Sequence, residues 1–239
     1  MMRQDALPLY LQIADELRRN IEKSVFNVGD QLPTELELSK RFGVHRHTLR
    51  RAVDVLRQEG IVDVERGRGT FVVAPIALPI GKRVRFNAAL KAQSMIPSCQ
   101  VLRIVKLNAD PKLAQQLDIE LGASVILFER LYWVDELPIN ISSSYFPNQR
   151  FPALATHCEA YGSISQMLLK EYNCDHLCRS TRVSARVARP QDARRLKMPA
   201  NSPILLSESI HVDQTGTVIE YGVTRFRGDR MELVMEQDT

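Results

Sequence analysis

Between Pro8 and Val73 the apolar residues recur three times at helical spacing and then switch to strand spacing, with glycine or proline at every change. Few folds accept that order. "PLYLQIADELRRNIEK" carries Leu9, Ile13, Leu17 and Ile21 at i+4 spacing behind Pro8, whose fixed φ suits a first helical turn. "VGDQLP" breaks the chain, and Thr34 with Glu37 has the spacing of a capping box that opens a short second helix, "TELELSKRF". Gly43 permits a sharp turn. "HRHTLRRAVDVLRQEG" then places Leu49, Ala52, Val53 and Leu56 on one face of a third helix, which Gly60 ends. Two short β-rich runs, "IVDVE" and "TFVVA", flank "RGRG", whose glycines supply positive φ at a hairpin tip. Helix, helix, turn, helix, hairpin predicts a winged helix-turn-helix over residues 1–74.

"PIALPIG" (75–81) holds two prolines and reads as a linker, so a second domain is expected over residues 82–239. There, strand-like runs ("CQVLRIVKL", "SVILFERLYWV", "PINISSSYF", "TRVSARVA", "PILLSESIHV", "VIEYGVTRF") alternate with the helix-like "DPKLAQQLDI", "SISQMLLKEYN" and "QDARRLKM". "VDELP" and "DQTG" between paired runs are hairpin turns. The expected class is α+β, with a mainly antiparallel sheet. At 239 residues, 44% hydrophobic and 25% charged, the chain can build a core in each domain. Nothing approaches the ~20 apolar residues of a membrane helix, and "MMRQDALPLY" lacks the apolar core of a signal peptide. Cys99, Cys158, Cys174 and Cys178 fit no disulfide framework. Together these predict a cytoplasmic protein with free thiols.

Net charge is only +4, and residues 1–74 hold 12 Lys/Arg against 11 Asp/Glu, so affinity for a polyanion has to come from the distribution of charge. On a helical wheel Leu49, Ala52 and Leu56 share one arc of the third helix, and Arg46, His47, Arg50, Arg51 and Arg57 spread over the other. A basic arc by itself most often marks a solvated face. This one sits on the third helix, after a tight turn and before a Gly-Arg hairpin, where a recognition helix and wing belong. Arginine offers a planar fork to guanine O6 and N7, which makes Arg46 and Arg50 the base-reading candidates. Thr48, Arg51, Arg66 and Arg68 are cast as phosphate contacts, Gly67 and Gly69 as points of close backbone approach, and His47 in either role.

The segment from Pro8 to Val72, through "GDQLPTE", "HTLRRA" and "EGIV…GRGTFV", resembles the DNA-binding domain of the GntR family of bacterial transcription regulators. Thr34, inside that motif, joins the expected DNA contacts. Two positions depart from the family: Leu36 stands where Arg is usual, which removes one expected contact, and His45 stands where many members have Ser or Asn, a poorer helix N-cap. Residues 82–236 resemble the UTRA effector domain of the HutC subfamily, through "FERLYWVDELPINISSSYFP" and "VIEYGVTRFRGDRMEL".

A sheet domain fused to a DNA-binding module either dimerises the protein only or also binds a small molecule. The strands carry Arg130, Ser142, Ser163, Arg179, Glu220 and Arg225 close to apolar runs. Each alone reads as a satisfied surface or edge residue. The UTRA resemblance implies that Arg130, Ser163 and Glu220 hold a polar or anionic effector. Phe226 falls where many relatives have Tyr, and Ser142 where many have Glu, a loss of negative charge that suits a more anionic ligand. "HRHTLRRA" looks most like regulators of phosphonate utilisation, so the expected effector is a phosphonate or phosphate ester, held by Arg130, Ser163 and the amides of the helix that Ser163 starts. The resemblance further implies a homodimer, most often a repressor, on a pseudo-palindromic DNA operator with its recognition helices ~34 Å apart, and a change of angle at 75–81. Two other readings stand beside it. The UTRA fold resembles that of chorismate lyase, which allows a lyase-like enzyme with a DNA-binding appendage, and an architectural DNA binder would need no ligand.

"CDHLC" (174–178) offers three soft ligands, but Cys-x3-Cys without a distant partner pair reads as incidental thiols rather than zinc. No G-x-S-x-G appears, and "RGRG" lies between strands rather than before a helix, so it is no nucleotide loop. No catalytic residue, cofactor or metal is expected.

Overall fold

The computed structural model describes residues 7–65, 67–81, 86–161 and 163–235, the side chains of 158–160 excepted. The chain divides into two compact units, Met1–Pro75 and Ile76–Thr239. No helix among the described residues is long and apolar enough to cross a membrane.

The first unit follows the expected order: α1 (Leu9–Glu22), α2 (Glu35–Phe42), α3 (Arg46–Gln58), and an antiparallel hairpin of β1 (Val62–Glu65) and β2 (Gly69–Val72). Ile13 and Leu17 of α1, Leu38 of α2, the predicted Leu49, Ala52, Val53 and Leu56 of α3, and Val62 and Val72 of the hairpin form its core. Leu9, at the head of the i+4 stripe, is exposed. The Thr34–Glu37 capping box is present, and Gly43 closes α2 in the left-handed region at φ +63°. Arg18 of α1 ties to Glu59 behind α3 at 2.7 Å.

The second unit begins inside the stretch expected to be a linker. β3 (Ile76–Pro79) pairs in parallel with β10 (Met231–Val234) near the other end of the chain, and Ile76 and Leu78 are buried. The linker reading of 75–81 is thereby corrected. Proline is tolerated at the end of a two-stranded edge, where its missing N–H breaks no ladder, and local composition carries no sign of a partner so remote in sequence. After α4 (Phe86–Ala92), six strands form one antiparallel sheet: β4 (Pro97–Asn108), β5 (Ser124–Val134), β6 (Leu137–Pro147), β7 (Leu177–Val187), β8 (Pro203–Val212) and β9 (Val218–Arg227), in the spatial order β4-β5-β6-β9-β8-β7. All six were expected from the runs above; β3, β10, α4 and α6 were not.

Each face of the sheet has its own cover. On one, α5 (Pro111–Leu117) packs Leu113 and Leu117 on Val125 and Tyr221, and α8 (Pro190–Arg195) packs Ala193 near Leu131 and Ile141. On the other, α6 (Leu154–Ala160) and α7 (Ile164–Tyr172) cover Ile126, Phe128 and Phe146, while α4, β3 and β10 cover Tyr132, Val134 and Phe226. Between these two apolar clusters the face carries small polar side chains, and a cavity remains.

Candidate functional site

Two surfaces answer the sequence expectations, one in each unit. On α3, Arg46, His47, Arg50, Arg51 and Arg57 are exposed and Thr48 is half-buried. Arg50 lays its fork on Glu35 of α2, with Nε 3.2 Å from Oε1 and Nη2 3.0 Å from Oε2. That hydrogen bond holds the Glu35 carboxyl below its ordinary range, with longer-range help from Arg46. The two side chains are 65% and 42% exposed, so the pair adds little stability and yields readily to a base or phosphate. Arg51 instead rests its guanidinium 4.0 Å over the Tyr10 ring of α1. His45 caps α3 with its backbone alone, as its side chain makes no capping hydrogen bond; its carbonyl accepts from the Thr48 amide at 2.9 Å, which leaves the Arg46 and His47 amides for an anion.

The Thr34 hydroxyl donates to Glu37 Oε2 at 2.8 Å and accepts from the Glu37 amide, so it serves the cap of α2. In the wing, Arg66 lies outside the described residues. Gly67 takes φ +80°, and Arg68 is 74% exposed beside Glu65 at 2.5 Å. Gly69, expected to admit the duplex, has a reason within the fold: its φ is +130°, and a Cβ there would stand 2.2 Å from Gln31 Nε2, which donates to the Arg68 carbonyl at 2.8 Å.

In the second unit the sheet register builds the cavity. Arg130 of β5 lies opposite Ser142 of β6, Ser142 opposite Thr224 of β9, and Thr224 opposite Ser207 of β8. The next rung runs Phe128, Ser144, Gly222, Ser209 and Thr181. A third joins Glu220, His211 and Cys178. Small side chains on adjacent rungs of one face leave a cavity of ≈ 240 Å³, walled by Leu78 and Ile80 on one side and Ser163, Ile164 and Ser165 of the α7 N-terminus on the other. Gly222 has an ordinary φ, so its missing side chain makes room: an added Cβ would touch Ser209 Oγ at 3.4 Å and Glu220 Oε1 at 3.5 Å.

Five of the seven expected effector residues line this cavity: Arg130, Ser142, Ser163, Glu220 and Phe226. Ser163 is the N-cap of α7, accepting from the Gln166 amide at 3.4 Å. The other two are corrected. Arg225 follows Thr224 and so faces the opposite side of the sheet, where it donates to Ser143 Oγ at 2.8 Å and pairs with buried Glu129 at 3.2 Å. Burial alone would raise the Glu129 pKa, but Ser143 and the surrounding arginines hold it low. Arg179 is exposed at the β7 bulge and is not among the residues that line the cavity. Strand parity decides the Arg225 case, because one residue of offset exchanges the two faces, and the bulge between Cys178 and Ser180 decides the Arg179 case.

Among the buried polar atoms of cavity-lining residues, Arg130 Nε, Asn140 Oδ1 and His211 Nδ1 make no hydrogen bond to the described residues. Arg130 is 6% exposed, its guanidinium 4.6 Å from the Phe128 ring and 4.9 Å from the Tyr132 ring. No carboxylate pairs with it among the described residues. Burial alone would raise the Glu220 pKa, yet His211, His176 and the hydrogen bonds from His176 and Ser144 bring it down to about 2. His211 moves the other way from usual, since desolvation lowers it to about 4 and leaves the imidazole neutral at pH 7.

His176, His211, Asn140 and the serines of β6 and β8 were not among the expected site residues. The alternation in "NISSSYF" and "SESIH" carries their signal, a small polar residue at every second position. His176 stood in the "CDHLC" run already set aside.

Residues 9–72 match the model for bacterial regulatory proteins of the gntR family, and residues 92–232 match that of the UTRA domain. The chain is 32% identical over 236 residues to the probable transcriptional regulator PhnF of Escherichia coli, covering 95% of this chain and 94% of that protein. It is 31% identical to the HTH-type transcriptional repressor PhnF of Mycolicibacterium smegmatis, covering 85% and 83%. The crystal structure of PhnF from Mycobacterium smegmatis superposes with a TM-score of 0.68 at 27% identity, over 95% of this chain and 99% of that one.

Proposed function

The chain belongs to the GntR family of bacterial transcription regulators and carries a UTRA domain, and from that premise we propose that it is a homodimeric repressor whose operator affinity changes when a phosphorus oxyanion enters the cavity of the second unit. Its relatives regulate transcription and are not enzymes, so the lyase-like reading is set aside. α3 reads a pseudo-palindromic operator, with Arg46 and Arg50 at base edges and Arg68 with the wing on phosphates.

One observation supports the anionic effector above the others. The Arg130 guanidinium is buried in the cavity wall with Nε unpartnered, and a buried cation without its counter-charge costs several kcal/mol. A phosphonate or phosphate oxygen supplies both the charge and the acceptor, and the amides at the start of α7 supply further donors. β3 and Ile80 wall the cavity and follow the DNA-binding unit directly in the chain. An occupant that favours one arrangement of this segment acts on the operator through its difference in affinity for two dimer geometries.

The test is anisotropy of DNA taken from upstream of the protein's own coding region, with methylphosphonate, glycerol 3-phosphate and inorganic phosphate added in turn. At least one is expected to shift operator affinity about tenfold, and Arg130→Gln to abolish the shift while the folded protein still binds DNA. No response from any of the three, or an unchanged response in Arg130→Gln, overturns the reading.

A further inference from the structure

We propose that His176, His211 and Glu220 form a transition-metal site in the cavity wall, taking Zn2+ or a similar divalent ion with one coordination position open to the cavity. The three come from separate segments: His176 precedes β7, His211 lies in β8 and Glu220 in β9. Their ligand atoms all lie within 4.8 Å of one another. Two separations are explicit, His176 Nε2 to Glu220 Oε2 at 2.6 Å and His211 Nδ1 to the same oxygen at 3.7 Å. In a tetrahedral site with metal–ligand bonds of about 2.0–2.1 Å the donors stand roughly 3.3 Å apart, between the two values found. Small side-chain adjustments close the site.

The surrounding bonds also suit a metal ion. His176 Nδ1 lies 2.8 Å from Ser165 Oγ and Nε2 lies 2.6 Å from Glu220 Oε2, to which it donates when no ion is bound; a metal would displace that proton, and the tautomer with Nδ1–H donating to Ser165 would present the Nε2 lone pair. His211 Nδ1 is buried and makes no hydrogen bond among the described residues, and its imidazole lies 4.3 Å from that of His176, tilted by 34°. Ser165 and Ser144 hold His176 and Glu220 from behind, the outer hydrogen bonds that orient metal ligands. Three protein ligands leave one position vacant, as in sites that exchange a water or substrate oxygen. Gly222 keeps clear the space beside Glu220 Oε1 and His211 Cε1.

Metal binding does not depend on the effector reading; only the occupant of the fourth position rests on it, an oxygen of the phosphorus oxyanion. Full-length protein treated with a chelator and dialysed is titrated with Co2+, whose visible absorption reports four-coordinate nitrogen and oxygen ligation, and the Co2+ is then displaced with Zn2+. One equivalent per chain is expected, weakened at least about tenfold by His176→Gln and by His211→Asn. Thermal unfolding confirms that each variant is folded, and His211 is the safer position because it is only half-buried. No stoichiometric Co2+, binding unchanged in both variants, or a spectrum dominated by thiolate charge transfer overturns the site. A second titration compares methylphosphonate binding with Zn2+ and with chelator. At least tenfold tighter binding with Zn2+ is expected, and equal binding overturns the open-position assignment while leaving the effector reading intact.

Discussion

Arg50 and Arg68 both meet a carboxylate at the surface, Glu35 in one case and Glu65 in the other, yet the proposed reading gives them different roles. Arg50 stands on the exposed arc of α3 with its fork already flat against a planar partner, the geometry that also fits a guanine edge. Arg68 sits at the tip of a hairpin, 74% exposed, and its proposed role is a phosphate contact. Arg50→Ala is therefore expected to weaken operator binding on the order of 10- to 100-fold and relax preference at one base pair, whereas Arg68→Ala weakens all sequences alike and lowers the log–log salt slope by about 1. Binding isotherms on operator and scrambled DNA at several salt concentrations separate them; identical patterns would contradict the assignment. Thr34 and Gly69 are lessons at the same scale. Both sit in a family motif that points to DNA, and both also have a role within the fold, Thr34 with Glu37 and Gly69 with Gln31.

Among the elements, the β8–β9 hairpin is pinned by Asp213, which is 3% exposed. Its Oδ1 accepts from the Thr215 and Thr217 amides at 2.8 and 2.9 Å and from the Thr215 hydroxyl at 2.7 Å, while Oδ2 meets Arg150. Burial alone would raise its pKa, but Arg150, the Thr215 hydroxyl and the two amides outweigh that and hold the carboxyl well below the usual range. The folded-state pKa is thus lower than the unfolded one. The stabilisation is complete above about pH 4 and is lost as pH falls below it. Asp213→Asn is expected to cost about 1–3 kcal/mol at pH 7 and to flatten the loss of stability below pH 4, both read from urea unfolding at pH 7 and pH 3. An unchanged pH profile would contradict the role. The hairpin matters to function because the strands it joins carry His211 and Glu220.

For the whole molecule, the apolar cores are separate: one lies entirely within residues 1–75, and the others within 76–239. Calorimetry should resolve two unfolding transitions, and an effector at about 100 times its Kd should stabilise only the second, by about 2.7 kcal/mol. A single transition that moves as one would mean that the units unfold together. The sequence by itself determined the three helices, the wing, all six strands of the large sheet and the apolar face of α3, because those features rest on periodicities of two and 3.6 residues and on glycines and capping residues a few positions away. Only the tertiary structure decided that 76–79 joins the far end of the chain as a strand, that Arg225 turns from the cavity while Arg130 enters it, and that two histidines converge on Glu220. Those outcomes depend on strand register between distant segments, where a shift of one residue exchanges the faces of the sheet, and no local pattern fixes it.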